Sequence, residues 1–142
     1  MSGALVIGGG PAGAATAILL ARAGRAVTLL ERETGPHDKV CGEFISHEAA
    51  AYLSRLGLDL RALGAAPIRA ARLAHGRGAT EIALPFAAFS LSRRRLDEAL
   101  LGLAQDAGVQ LRRGVRARRL TPTGRDWAVD LGEAGSLRAE AV

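Results

Sequence analysis

The sequence predicts an α/β fold with a parallel sheet, a β-meander and the first strands of a second, antiparallel layer. Three observations carry that prediction. Two short apolar runs, residues 4–7 and 27–30, bracket a helix-length segment over 11–23; this is the pattern of a strand–helix–strand unit with buried parallel strands. Residues 67–91 lose helical spacing and alternate around a Gly76-Arg77-Gly78 turn. Beyond residue 108, short apolar runs are separated by Gly- and Pro-containing breaks, as antiparallel strands are.

The first unit is the most informative. Gly8, Gly10 and Gly13 form G-x-G-x-x-G between the first strand and the helix. Gly8 permits a sharp turn, Gly10 lets a pyrophosphate approach the backbone, and Gly13 lets the helix lie close to the strand. Pro11 suits a first helical turn, where its missing N–H has no partner to lose. The helix N-terminus, with its amides and dipole, is a site for an anion. The second strand ends on Glu31, 18 residues beyond Gly13, near the spacing at which an acid meets an adenosine ribose. A carboxylate there accepts ribose hydroxyls and repels a 2′-phosphate, which disfavours NADP. Together these features define a Rossmann-like, dinucleotide-binding unit rather than an isolated glycine motif.

Composition bounds the remaining classes. With 142 residues and 49% hydrophobic content, the chain suffices for one domain with its own core. No apolar run approaches the ~20 residues of a membrane-spanning helix. The N-terminus reads as a strand, since glycines break it and no basic leader precedes it. Cys41 is the only cysteine, which excludes an internal disulfide and a multi-cysteine metal site, and a reducing, cytoplasmic setting is the simplest expectation. His37, His47 and His75 match no ligand spacing, so no metal is expected. The net charge of +5 is almost all arginine, Lys39 being the sole lysine. Arginine suits phosphate contacts, but a coding bias toward Arg and Ala explains the excess more simply. Arg112, Arg113, Arg116, Arg118 and Arg119 form a basic cluster with no interleaved aromatic residues for base stacking; a solvated strand face is favoured over nucleic-acid binding.

The chain then follows in order. Residues 32–39 form a polar loop marked by Gly35-Pro36, in which Arg32 lies at the adenosine end or is simply solvated. Ser46 caps a helix over 46–56 with Glu48 in its first turn and Ala49, Ala50, Leu53 and Leu56 on its apolar face. Residues 59–63 add a short helical turn. Residues 68–74 and 80–84 form a hairpin, followed by Pro85 and a separate short strand near 89–91. These strands are read as a layer inserted at 67–91. Ser92 caps a helix over 93–107 with an apolar stripe of Leu96, Ala99, Leu100, Leu103 and Ala104, ended by Gly108. Residues 109–111 are a third parallel strand beside the second. The meander strands are 115–120, 127–131 and 137–142, with turns at 121–124 and 132–135.

These motifs resemble the N-terminal part of FAD-dependent oxidoreductases related to geranylgeranyl reductases and to p-hydroxybenzoate-hydroxylase-type flavin monooxygenases. The match rests on GGGPAG followed by Glu31, on Lys39-Val40-Cys41-Gly42-Glu43, similar to a basic-x-Cys-Gly-Glu box, and on Arg93-x-x-Leu96-Asp97 opening a helix. The resemblance implies that Gly8, Gly10, Ala12 and Gly13 hold the FAD pyrophosphate and Glu31 the adenosine ribose. It places Cys41 and Gly42 by the flavin or its ribityl chain, Arg93 near the phosphates and Ala117 at the adenine through its backbone. An alternative for Cys41 is an ordinary buried thiol.

The implied activity is a flavin-dependent reduction or hydroxylation of a small, hydrophobic or aromatic substrate, with NAD(P)H as a candidate electron donor. A non-catalytic dinucleotide-binding module is the alternative. An NAD-dependent dehydrogenase is disfavoured because the Cys-Gly-Glu box and the Arg93 helix have no role in one. No catalytic residue and no oligomeric state is specified by these motifs. In the family resembled, the meander leads into a Gly-Asp-type loop and a large substrate sheet. Residue 142 falls in what reads as the returning strand, so the fold is expected to be truncated, as a fragment or a naturally short relative, and the chain inactive alone.

Overall fold

In the computed structural model, which describes residues 2–142, the chain divides into two compact units: residues up to His37 together with Leu96–Val142, and Asp38–Arg95.

The first unit is a six-stranded sheet. Strands β1 (Ser2–Ile7), β2 (Val27–Glu31), β6 (Gln110–Arg113), β7 (Arg119–Thr123), β8 (Asp126–Asp130) and β9 (Ser136–Ala141) lie in the order β6-β2-β1-β9-β8-β7. β1 pairs in parallel with β2 and with β9, and β2 in parallel with β6. β7, β8 and β9 form the antiparallel meander. The expected parallel sheet and meander are therefore both present. All five residues of β2 are buried, which is why the run reads as continuously apolar rather than alternating.

Helix α1 (Pro11–Arg22) packs through Ala14, Ala17 and Ile18, none of which is exposed. A Cβ at Gly13 would overlap the carbonyl oxygen of Gly8 and press on Val6 Cγ1, so the close helix–strand approach requires glycine there. The other core cluster joins Leu5, Leu30, Val129, Leu131 and Ala139, with Val115, Ala117 and Leu137 packed at its margin. Each fully buried leucine there contributes about 1.5–3 kcal/mol.

Helix α3 (Arg93–Asp106) buries Leu96, Asp97, Leu100, Leu101 and Ala104. Two members of the expected stripe, Ala99 and Leu103, are only half-buried, and Leu101 and Asp97 take their place. The buried arc is rotated because Leu101 faces Gly9, whose hypothetical Cβ would lie 3.0 Å from Leu101 Cδ2.

Two meander boundaries differ from the sequence expectation. Residues 115–118 join no ladder, and β7 starts only at Arg119. The turn falls at Gly124-Arg125, while Pro122 lies inside β7 opposite Trp127. β7 is an edge strand, and an edge tolerates a proline whose missing N–H faces away from the ladder.

The second unit holds β3 (Phe44–Ile45), α2 (His47–Arg55), β4 (Ala66–His75) and β5 (Gly78–Ser90), with sheet order β3-β5-β4. The hairpin is present, but the separate strand expected after Pro85 is not: β5 runs on as one strand. Ile68 faces Ala88 while Ala70 faces Ala83, so residues 84–87 bow out opposite Arg69. Pro85 sits in that irregularity, where it interrupts no ladder bond. β3 was not foreseen, being two residues held only by Phe89 and Ser90 of β5.

Ser46 caps α2, its Oγ accepting the Ala49 amide at 3.2 Å. Leu53 and Leu56 are buried, and Ala49 and Ala50 half-buried. The Glu48 carboxyl is held below its ordinary value by the backbone amide donating to it and by Ser46. Residues 59–63 close one hydrogen-bonded turn rather than a helix, with Asp59 Oδ1 accepting the Arg61 and Ala62 amides at 2.8 and 3.2 Å.

Candidate functional site

The carboxyl ends of β1 and β2 bring the predicted Gly8, Gly10, Gly13 and Glu31 together in the first unit. β1 has β2 on one side and β9 on the other, so the strand order reverses at β1. In open α/β sheets a ligand crevice forms at such a reversal, beyond the strands' carboxyl ends. Gly8 follows β1 with a φ of 104°, and its amide donates to Leu30 O at 2.8 Å. The turn thus remains fastened to β2 while changing direction.

Gly10 is the N-cap of α1, extended and without a side chain to cap the helix; no acid lies in the first turn, and Pro11 occupies its start. Ala12 is exposed on that turn. By contrast, α2 is capped by Ser46 and α3 by Ser92, whose Oγ lies 3.4 Å from the Arg95 amide. Helix-terminal amides without a side-chain cap suit an external anion.

Glu31 is 6% exposed, an uncommon place for a carboxylate unless it is hydrogen-bonded. Its Oε2 accepts the Gly9 amide at 2.8 Å and its Oε1 the Glu33 amide at 3.0 Å. A Cβ at Gly9 would lie 2.8 Å from that same Oε2. Gly9 was not singled out from the sequence, because G-x-G leaves the middle position unconstrained. Only the tertiary approach of β2 to the turn gives it a role. The β2 end is further held by the Val115 amide, which donates to Glu31 O at 3.1 Å.

Arg32 is a surface residue whose Nε pairs with Glu33 Oε1 at 3.0 Å. Ala117 lies in the irregular segment between β6 and β7, half-buried against the Leu5–Leu30 cluster. Beside it is a cavity of about 430 Å³ lined by Val115, Arg116, Arg118, Leu131 and Glu133 among others.

Cys41, Gly42 and Arg93 belong to the second unit. Cys41 is exposed, so the alternative of a buried thiol is overturned. The segment 41–43 is turned by Glu43, which has a φ of 54°, and the Glu43 amide lies 3.4 Å from Cys41 Sγ. A positive φ at a non-glycine residue is a local cost. Arg93 is half-buried at the start of α3.

A glycine turn at a strand-order reversal, a helix start without a side-chain cap and a buried acid at the end of β2 define a Rossmann-type dinucleotide-binding protein. Residues 1–133 match the family model of the FAD binding domain, and the chain belongs to that family. It is similar to the menaquinone reductase of Mycobacterium tuberculosis, 34% identical over 118 residues, covering 80% of this chain and 29% of the relative. It is also similar to the menaquinone reductase of Mycolicibacterium smegmatis, at 33% over 147 residues, covering 94% of this chain and 34% of that one. The chain therefore spans about a third of the length of these curated relatives.

Among solved structures, the p-nitrophenol 4-monooxygenase of Pseudomonas putida superposes with a TM-score of 0.84 at 24% identity, over 100% of this chain and 40% of that one. A myxobacterial chondrochloren halogenase gives 0.83 at 24%, over 99% of this chain and 35% of that one. At such identities these two show the shared fold. The FAD-binding class expected from the motifs is thereby established, as part of an oxidoreductase family. Among the described residues no helix is long and apolar enough to cross a membrane.

Proposed function

We propose that residues 1–142 hold FAD by its ADP half within a flavin-dependent oxidoreductase acting on a small hydrophobic or aromatic molecule. One observation carries the reading: the Glu31 carboxylate is buried and aimed by the Gly9 and Glu33 amides beside the α1 N-terminus. A carboxylate offers about four acceptor positions, so ribose hydroxyls can be accepted alongside amide donors. Gly8, Gly10, Ala12 and Gly13 receive the pyrophosphate, Arg32 lies at the adenosine end, and the backbone at Ala117 meets the adenine. Cys41 and Gly42 are assigned to the flavin and Arg93 to the phosphates.

The 67–91 hairpin is assigned to a substrate layer; its exposed Leu73, Ile82 and Phe86 support that reading. Bound flavin supplies the electron chemistry, with NAD(P)H as the proposed donor. The described residues bind and orient, and none is assigned a catalytic role, so residues 1–142 alone are expected not to turn over. The similarity to menaquinone reductases supports reduction of a quinone-like, apolar substrate, in keeping with the geranylgeranyl-reductase-like box at 39–43. A cytoplasmic location is part of the proposal.

Titration calorimetry with FAD, FMN and NADP tests the cofactor assignment. FAD is expected to bind best, because only it presents an adenosine ribose with free hydroxyls to Glu31. Tighter binding of NADP than of FAD would overturn the assignment.

A further inference from the structure

The cavity of about 430 Å³ beside the β6–β7 segment falls in the range of small-molecule sites, about 300–1,000 Å³. Val115, Leu131 and Ala134 give it apolar walls, and Arg116, Arg118 and Glu133 charged ones. Two contacts tie its lining to the end of β2. The Val115 amide donates to Glu31 O at 3.1 Å, and the Gly114 amide to Glu33 O at 3.4 Å. A nucleotide whose ribose meets the end of β2 therefore has this cavity within reach of its base.

Leu131, Glu133 and Ala134 line the cavity, but Gly132 between them does not. Arg118 lies over Gly132 instead: a Cβ there would come within 2.6 Å of Arg118 Nε, 3.0 Å of its Cδ and 3.5 Å of its Cζ. Gly132 has a φ of 65°, so glycine is favoured both by backbone conformation and by lack of room. Among the described residues the Arg118 side chain makes no ion pair and no hydrogen bond, so no carboxylate accounts for its position. Among the same residues, neither the amide nor the carbonyl of Ala117, between the lining residues Arg116 and Arg118, makes a backbone hydrogen bond.

We propose that Arg118 is a base-binding residue: seated on Gly132, its guanidinium stacks against the purine ring of the bound nucleotide, beside the unbonded Ala117 amide and carbonyl. A planar, weakly hydrated guanidinium stacks on aromatic faces as a lysine ammonium does not. Val115 and Leu131 supply the apolar side of the same space. The inference rests on the proposed placement of the adenosine ribose at Glu31, and the experiment separates the two.

The test compares AMP with ribose 5-phosphate, which lacks the base, by calorimetry on the protein. The parent is expected to bind AMP about tenfold more tightly, in keeping with the stacking of one base. Equal binding of the two by the parent would overturn the inference. Glu31→Ala is expected to weaken both ligands alike; unchanged binding of both there would remove the ribose placement, and the inference with it. Arg118→Ala is expected to bring AMP down to the level of ribose 5-phosphate and to leave the latter unchanged. Retention of the AMP preference, beside a normal effect of Glu31→Ala, would overturn the inference alone. A merely structural role would weaken both ligands together, and that outcome too would overturn it. Arg118→Lys keeps the charge without the plane and is expected to match Arg118→Ala; recovery of AMP binding by lysine would assign the effect to charge and overturn the stacking. Gly132→Ala is expected to lose the preference by displacing Arg118, and a folded Gly132→Ala with the parent's preference would overturn the seat and the proposal. Should Gly132→Ala fail to fold, Arg118→Ala, which alters an exposed side chain, decides alone.

Discussion

The amide of Gly9 donates to Glu31 Oε2 across 2.8 Å, tying the turn after β1 to the end of β2. The contact sets both the direction of the carboxylate and the closeness of the two strand ends. Removing it leaves the Gly9 and Glu33 amides without their acceptor. Glu31→Ala is expected to weaken FAD binding by about 1–3 kcal/mol, the cost of losing a charged hydrogen-bond partner. Calorimetry with FAD checks this, with a thermal melt of the free protein to separate binding from folding. Unchanged affinity would remove Glu31 from the site.

Gly13 faces the Gly8 carbonyl with no space for a methyl group. Both groups are backbone, so neither can swing away. Gly13→Ala is expected to push α1 off β1, destabilising the protein by about 1–3 kcal/mol, as overpacking does, and to abolish FAD binding with it. Thermal denaturation and calorimetry read the two effects; a variant with the parent's melting temperature would show that the approach is not tight.

Cys41 is exposed, so its side chain contributes little to folding. Cys41→Ala is expected to change stability by no more than about 0.5 kcal/mol while altering the absorbance spectrum of bound flavin. A normal spectrum with intact affinity would take Cys41 out of the flavin site.

Glu48 lies in the first turn of α2, and its carboxyl is held below its ordinary 4.5, mainly by the backbone amide and then by Ser46. A carboxyl with a depressed folded value stabilises the fold above its unfolded value and loses that contribution as pH falls through the folded one. Glu48→Gln is therefore expected to melt earlier than the parent at pH 7, with the difference shrinking through the acid range below 4.5 and vanishing under it. Melting curves across that range decide the matter; a difference that persists in acid would assign the effect to packing.

The sequence by itself determined the β1–α1–β2 unit, because its signals are local. Apolar runs of strand length, a glycine pattern at fixed spacing and an acid closing the second strand depend on neighbours in the chain. The helix caps at Ser46 and the parallel third strand were legible for the same reason. Tertiary structure decided whatever depends on residues distant in sequence. Pro85 looked like a strand breaker, yet β5 continues past it because the opposing strand allows residues 84–87 to bow out. Pro122 looked like a turn residue, yet it lies in a strand because β7 is at the sheet edge. Gly9 looked interchangeable until β2 delivered Glu31 to its amide. Arg113 read as one of a solvated cluster until α3 placed Glu98 against it. Spacing along a chain records which residues share an element, whereas side-chain pairing across elements depends on register and on which face of a helix is turned inward, and those are settled only when the layers pack.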